Sequence, residues 1–388
     1  MKESITIENF GPISHIRIND IKPFTVLIGK SATGKSTIMK IIALFRYIYK
    51  LANIRSYYHL SNISRSPFRI DFSALLRENG LYGMLQSDTC ISYSMTSDAG
   101  NTYTIEYSKK KLNKLPNISV GDLVFQKGVF VCENRNAISS WLENGLLLRT
   151  VKTDFYFDET LNLFLEATSN VKITSIPSLA VSLQVSKSGN SVPQYTLRDE
   201  CDPKKNFKLK EASSGMKSTV PLAVIVEYMA RNFNFKDAYR RSVLDYLLNA
   251  NRLTEFRPAI EIDGFLPLIS IHVEEPELNL DPASQILLQQ GMIDTLFHKA
   301  TADRKCMLMY ATHSPYLANH INLLMAQWES DKSTGINPDS VDVLLTEPDG
   351  TMHSVIVFDQ SGRKVVDSEF LSKEIETLYH SYYLLRND

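Results

Sequence analysis

Gly29-Lys30-Ser31-Ala32-Thr33-Gly34-Lys35-Ser36-Thr37 decides the reading of this chain. The segment fits the pattern G-x-x-x-x-G-K-[ST]. It lies between a short apolar run, Phe24 to Ile28, and a stretch from Ser36 to Leu51 whose apolar residues recur at helical spacing. A buried strand that ends at glycine and passes straight into a helix is the setting a phosphate-binding loop needs. Backbone N–H groups there wrap phosphate, and Gly29 and Gly34 permit the conformation because they lack Cβ. Lys30, Ser31, Ala32, Thr33 and Thr37 are the other positions expected against the nucleotide. Lys35 is placed to reach the β- and γ-phosphates and Ser36 to ligate Mg²⁺, while the helix N-terminus adds its dipole. The expected ligands are a nucleotide and Mg²⁺.

Three further segments carry chemistry. Leu268-Ile269-Ser270-Ile271-His272-Val273-Glu274-Glu275-Pro276-Glu277 is an apolar strand ending in adjacent carboxylates. Strand side chains alternate, so Glu274 and Glu275 point differently and suit two roles, one on the Mg²⁺ shell and one on an attacking water. Met307 to Ala311 reads as a second buried strand that runs into Thr312-His313-Ser314. A histidine at that turn is placed to contact a γ-phosphate, although a lone histidine at a strand end is also an ordinary structural residue. Glu211-Ala212-Ser213-Ser214-Gly215-Met216-Lys217-Ser218 precedes a helical pattern, and read alone it is an anion site or a plain N-cap.

The 388 residues suffice for one large or two ordinary domains. Apolar residues make up 44% and charged residues 22%, which supplies a core and excludes a disordered polymer. A formal net charge of −1 gives no whole-chain reason to expect a polyanion binder. The amino terminus enters an alternating strand pattern directly, which predicts no secretory signal. The longest stretch free of Asp, Glu, Lys and Arg, Cys306 to Trp328, is too polar for a membrane span. Cys90, Cys132, Cys201 and Cys306 form no Cys-x-x-Cys pair, which argues against a zinc ribbon or disulfide scaffold and suits a cytoplasmic location.

Alternation at residues 4–8 and 14–18, with Gly11-Pro12 between them, predicts paired strands. Residues 53–125 read as a β-rich lobe and Val129–Cys132 as a buried strand. A helix is expected near 155–168, strand-like alternation around Leu179–Val185, and helix from Ser218 to Arg231. Residues 232–262 read as a helical excursion. Pro282–Phe297 and Pro315–Trp328 read as helices flanking the strand at Cys306–Ala311. The last expected elements are a hairpin, Val341–Leu345 with His353–Phe358 turning at Pro348-Asp349-Gly350, and a helix near 367–384. Strands alternating with helices at both ends imply a parallel sheet built from two distant segments.

The order of the four chemical segments resembles that of ABC-type ATPase heads, specifically the SMC/RecF/OLD branch. Asn9-Phe10-Gly11-Pro12-Ile13 is similar to that branch's "NFGPI" opening, and Ala212-Ser213-Ser214-Gly215-Met216 stands where the ABC signature would be. Glu274-Glu275-Pro276-Glu277-Leu278-Asn279-Leu280-Asp281 resembles the Walker B and D-loop segment, which implies Glu275 as catalytic base and Asp281 as the D-loop aspartate. Thr312-His313-Ser314-Pro315 resembles the OLD-type switch. Phe130-Val131-Cys132-Glu133-Asn134-Arg135 is similar to a "PAER" segment, which implies Arg135 as a nucleotide or interface contact. Glu274 departs from the more usual aspartate, Ser31 from asparagine, and Asp281 from a histidine common in OLD-type proteins.

The resemblance implies an α/β P-loop fold: one ABC-type head, without a long coiled coil, in which a β-rich lobe and an α/β core share the chain. Approximate divisions are 1–135 for the phosphate loop and lobe, 136–262 for an insertion with the signature helix, 263–330 for the Walker B and switch core, and 331–388 for a C-terminal hairpin and helix. It also implies a homodimer or higher oligomer in which Ser213 and Gly215 of one copy close over the γ-phosphate held by another. Sustained heptads of the SMC type are missing. The 75 residues after His313 show no acidic cluster of a Toprim nuclease, since Asp339, Asp342 and Asp349 read as surface turns. The expected role is that of the stand-alone ATPases of PARIS, Septu or retron anti-phage systems, acting with a separate effector such as a nuclease or toxin. The alternatives are a RecF-like DNA clamp and a scaffold that holds ATP with little turnover. The run Lys204-Lys205-Asn206-Phe207-Lys208-Leu209-Lys210 is a DNA-phosphate patch or, more simply, a solvated loop.

Overall fold

The computed structural model describes residues 1–142, 153–187, 192–202, 204–258, 265–367 and 369–386. The chain opens with β1 (Lys2–Phe10) and β2 (Ile13–Ile18), an antiparallel pair that turns at Gly11, whose φ is +55°. Next come β3 (Phe24–Gly29), α1 (Lys35–Leu60) and α2 (Phe72–Glu78). The strands β4 (Leu85–Thr96), β5 (Thr102–Ser108) and β6 (Lys111–Leu112) follow, then β7 (Val124–Val131). After a helical turn at Ile138–Trp141 come α3 (Phe155–Asn170), β8 (Ile173–Ile176), β9 (Val181–Ser186), β10 (Gln194–Asp199) and β11 (Asn206–Lys208). The remainder runs α4 (Ser214–Glu227), α5 (Phe235–Asn249), β12 (Leu266–Glu274), α6 (Pro282–Ile293), β13 (Lys305–Thr312) and α7 (Pro315–Ser330). It finishes with β14 (Val341–Thr346), β15 (Met352–Ser354) and α8 (Glu369–Arg386).

The core sheet has the order β15-β14-β3-β13-β12-β7, parallel throughout except for β15. β3, β12 and β13 are almost wholly buried, and their continuous apolar runs are what a parallel sheet covered on both faces demands. The lobe is an antiparallel sheet, β2-β1-β4-β5-β6. Its strands alternate, with Ile5 and Ile7 inward at 1% and 0% exposure. The α/β fold class expected from the sequence is therefore the one observed: a β-rich lobe beside an α/β core, each assembled from separated segments.

The helix α1 lies between lobe and core, which explains why so much of it is buried. Phe45 and Tyr49 meet Tyr93 of the lobe, with ring centroids 6.0 and 6.2 Å away. Arg46 is 1% exposed. It donates to both oxygens of Glu3 on β1 at 2.8 and 2.7 Å, and its third nitrogen lies 2.9 Å from Nε2 of His272 on β12. Burial, with Arg46's charge second, pushes His272 down to about 3, so its ring is neutral.

Several expected boundaries move. α1 runs to Leu60 and not Leu51, because its polar residues are satisfied inside: Asn53 Oδ1 accepts from Val124 N at 3.0 Å and Ser56 Oγ from Ile118 N at 2.9 Å. Strands β8 to β11 form a separate antiparallel sheet, β11-β10-β9-β8, of which the sequence showed only the central alternation. Lys208 belongs to its edge strand, and charged edges of this kind discourage sheet-to-sheet association. The C-terminal hairpin is only half as expected. β14 pairs briefly with β15, whereas Ile356–Phe358 pairs with Lys364–Val366. Residues 259–264, the end of the 232–262 excursion, lie outside the described residues. Among the described residues no helix is long and apolar enough to cross a membrane.

Candidate active site

The neighbours β3, β13 and β12 end at the same edge of the core sheet, where ligands of open α/β sheets bind. β3 delivers the phosphate loop. Gly29, Ala32 and Gly34 take φ of +149°, +65° and +93°. A Cβ at Gly29 would lie 2.6 Å from the Thr346 carbonyl oxygen, so only glycine fits where β14 backs the loop. Thr33 Oγ1 donates to Lys30 O at 2.8 Å and sits 2.6 Å from Thr346 Oγ1. Lys35 is 6% exposed, and its ammonium donates to the carbonyls of Gly29 and Lys30 at 2.8 and 2.7 Å. Burial pushes Lys35 below its ordinary value, against the opposing charges of Glu275 and Glu277. The first turn of α1 has no side-chain cap and no acidic residue, which leaves its N–H groups and the exposed Ser36 for an anion and its cation.

β12 delivers the carboxylates. Glu274 is 5% exposed and pairs with Lys40 at 3.4 Å. Glu275 takes φ of +43°, a left-handed conformation that a glutamate holds only under restraint. Its backbone bonds restrain it: the N–H donates to Ala311 O at 2.9 Å, and the carbonyl accepts from Arg135 at 2.6 Å and from Leu278 N at 3.1 Å. The turn aims Glu275 at β13, and His313 Nε2 stands 3.9 Å from Glu275 Oε1. Glu277 Oε1 accepts from Thr312 Oγ1 at 2.7 Å and from His313 N at 2.9 Å, which fastens the switch turn to the carboxylate strand. Ser314 caps α7 and donates to Gln285 of α6 at 2.5 Å.

Arg135 was expected at the nucleotide or an interface; the structure places it inside. It is 0% exposed and donates to the carbonyls of Ser218, Cys132, Glu274 and Glu275 at 2.9, 3.0, 2.7 and 2.6 Å. Burial lowers it to about 10. It ties the Glu274–Glu275 turn to the segment before α3 and to α4. Arg135→Ala removes four charge-assisted bonds to backbone carbonyls, of which Glu275 O keeps Leu278 N, at 3.1 Å, as a second donor, so chemical denaturation should show a loss of about 3 kcal/mol or more. Unchanged stability would mean the carbonyls find other partners.

The signature segment begins α4. Ser213 is the N-cap, accepting from Met216 N at 3.3 Å, and Ser213 and Ser214 are exposed. Gly215 is buried; a Cβ there would lie 2.6 Å from Asn279 O and 3.2 Å from Leu280. The outward part is therefore Ser213–Ser214, while Gly215 packs on the chain's own 279–280 turn. Asn279 also donates to Ser218 Oγ at 3.3 Å. Asp281 caps α6, accepting from Ser284 Oγ at 2.5 Å and from Ala283 N and Ser284 N, and these bonds hold its carboxyl below the usual range. The structure thus joins the phosphate loop, Glu274, Glu275 and His313 at one edge. The signature turn contacts residues 279–280 instead. Thr346 and the anchoring role of Glu277 escaped the sequence reading. Thr346 carries no motif signal, whereas Glu277 stands in the same acidic cluster and could have been weighed.

Residues 1–119 match the family model of an AAA ATPase domain. No curated protein matches the chain. Among solved structures, an SMC head bound to the C-terminal winged-helix domain of ScpA is similar at 9% identity and a TM-score of 0.41, covering 91% of this chain and 96% of that one. The SMC head domain from Thermotoga maritima is similar at 10% identity and a TM-score of 0.37, covering 92% and 100%. A dimeric ATP-binding cassette in a post-hydrolysis state with ADP and phosphate shares 11% identity at a TM-score of 0.31, covering 91% and 100%.

Proposed function

We propose that the protein is a Mg²⁺-dependent ATPase that hydrolyses ATP at a site shared between two copies of the chain. One observation carries the reading: Lys35, Glu274, Glu275 and His313 stand at the ends of three adjacent parallel strands, with the two reactive side chains Glu275 and His313 3.9 Å apart. Ser36 and Glu274 offer a hydroxyl and a carboxylate, the hard oxygen donors Mg²⁺ takes, and would hold it. When bound, the ion neutralises phosphate charge.

The chain's own groups do the rest. Lys35 exchanges the Gly29 and Lys30 carbonyls for phosphate oxygens, and the loop N–H groups wrap the same phosphates. Glu275 takes the proton of the attacking water as its oxygen bonds to phosphorus and the bond to the ADP oxygen breaks. His313, held by Glu277 through its backbone N–H, steadies the γ-phosphate. Ser213 and Ser214 of the second copy close over it. Lys35→Ala removes a charge-assisted contact, so the ATP dissociation constant should rise about tenfold or more in equilibrium binding with Mg²⁺. Retained affinity would sink the site.

The proposed biological setting is regulation or scaffolding of a separate effector in bacterial anti-phage defence. What supports it is the likeness of the motif order to stand-alone defence ATPases. Cells carrying the gene with its genomic neighbours should resist phage, and Lys35→Ala should remove the resistance. Equal plating with and without the gene would end this assignment. Tight ATP-dependent binding of duplex DNA by the purified protein would favour a DNA clamp instead.

A further inference from the structure

Behind the catalytic edge lies a second cavity of about 330 Å³, walled by α1, α2, β7 and α3. Gln126 of β7 lines it at 4% exposure, and both its amide oxygen and nitrogen are buried with no partner among the described residues. A buried amide unmatched at both ends is unusual, because burial strips each group of its water without replacing the lost bond. Lys50 of α1 reaches the same space, and among the described residues it has no hydrogen bond or ion pair. Its charged neighbours are Lys127 and Glu159. Of the other charged groups, Arg46 is bonded to Glu3, Glu78 stands exposed at the rim, and burial raises Glu159 against the opposing charges of Lys127 and Lys50. Inside the cavity the two ammonium groups of Lys50 and Lys127 thus face the one carboxyl of Glu159.

The opposite wall is aromatic. Phe130 and Tyr156 lie 4.1 Å apart, and the Tyr156 hydroxyl is already given to Asn79 at 2.6 Å, so it does not answer Gln126. We propose that the cavity binds a small planar organic carboxylate, its oxygens on the Lys50 ammonium and the Gln126 amide and its flat body on the aromatic wall. A carboxylate offers two acceptors to two donors, and the ring supplies the apolar area. Lys40 stands 4.9 Å over the Tyr156 ring and pairs with Glu274, which places the wall one side chain from the catalytic strand.

Benzoate is the probe, titrated calorimetrically into the intact protein, with inorganic phosphate as a second arm. Saturable benzoate binding is expected, weakened about tenfold or more by Lys50→Met and by Gln126→Leu. Both variants should keep wild-type ATP affinity and a Tm no lower than that of the parent, since each removes a buried polar group. Burial, with Lys127's charge second, lowers Lys50 to about 8, so benzoate affinity should fall as pH rises past that value and the ammonium loses its proton. Absence of saturable benzoate binding, phosphate binding as tightly as benzoate, or affinity unchanged in both variants would each overturn the assignment. The readout is binding at Lys50 and not turnover, so its failure leaves the ATPase reading untouched.

Discussion

Glu275→Gln is expected to lower ATP turnover by about a hundredfold or more while leaving ATP binding intact. The backbone around the residue survives the change, because its restraints are the N–H bond to Ala311 O and the bonds of Arg135 and Leu278 N to its own carbonyl. Glutamine has the same length and keeps the left-handed turn, but its amide cannot take a proton from water. Lys35, Ser36 and the loop are untouched, so ATP still binds. The product of that imbalance is an ATP-bound dimer that cannot reset, visible as an ATP-dependent rise in mass by light scattering. Wild-type turnover would move the base to Glu274 or Glu277. Of these, Glu277 is the stronger alternative: one of its oxygens accepts from Thr312 and His313, and the other is buried without a partner among the described residues.

How much of this was legible in the sequence follows from the range of the forces involved. The phosphate loop is local: its glycines, lysine and serine act within one turn, so their spacing is the mechanism. The strands leading to Glu274 and His313 were visible because burial on both faces leaves continuous apolar runs. Arg135 was misplaced for the opposite reason. Its partners are backbone carbonyls at 132, 218, 274 and 275, and a bond to a carbonyl leaves no trace in residue type. Thr346 escaped likewise, since it meets Thr33 only through the parallel pairing of β14 with β3, 313 residues apart in sequence. The helix expected to end at Leu51 runs on through Asn53 and Ser56, because their polar atoms are answered by Val124 and Ile118, which a sequence cannot show.

The last expectation separates a shared site from a self-contained one. A bulky anion at Gly215 would collide with Asn279 O of its own chain, so a lesion there reports on folding before it reports on any partner. Ser214 is the better position. It is exposed at the first residue of α4, where a carboxylate is favoured by the helix dipole, so Ser214→Glu should fold as well as the parent. If this turn closes over a second copy's γ-phosphate, the added charge faces phosphate charge at short range. The mutant should bind ATP normally yet lose about a hundredfold in turnover and fail to dimerise with ATP. Mixing it with Lys35→Ala then distinguishes the geometries. In the mixed dimer one site carries both lesions, while the other joins an intact phosphate loop to an intact Ser213–Ser214 turn. Part of the activity should return as subunits exchange. A Ser214→Glu protein that hydrolyses ATP at the parental rate as a monomer would place every catalytic group within one chain.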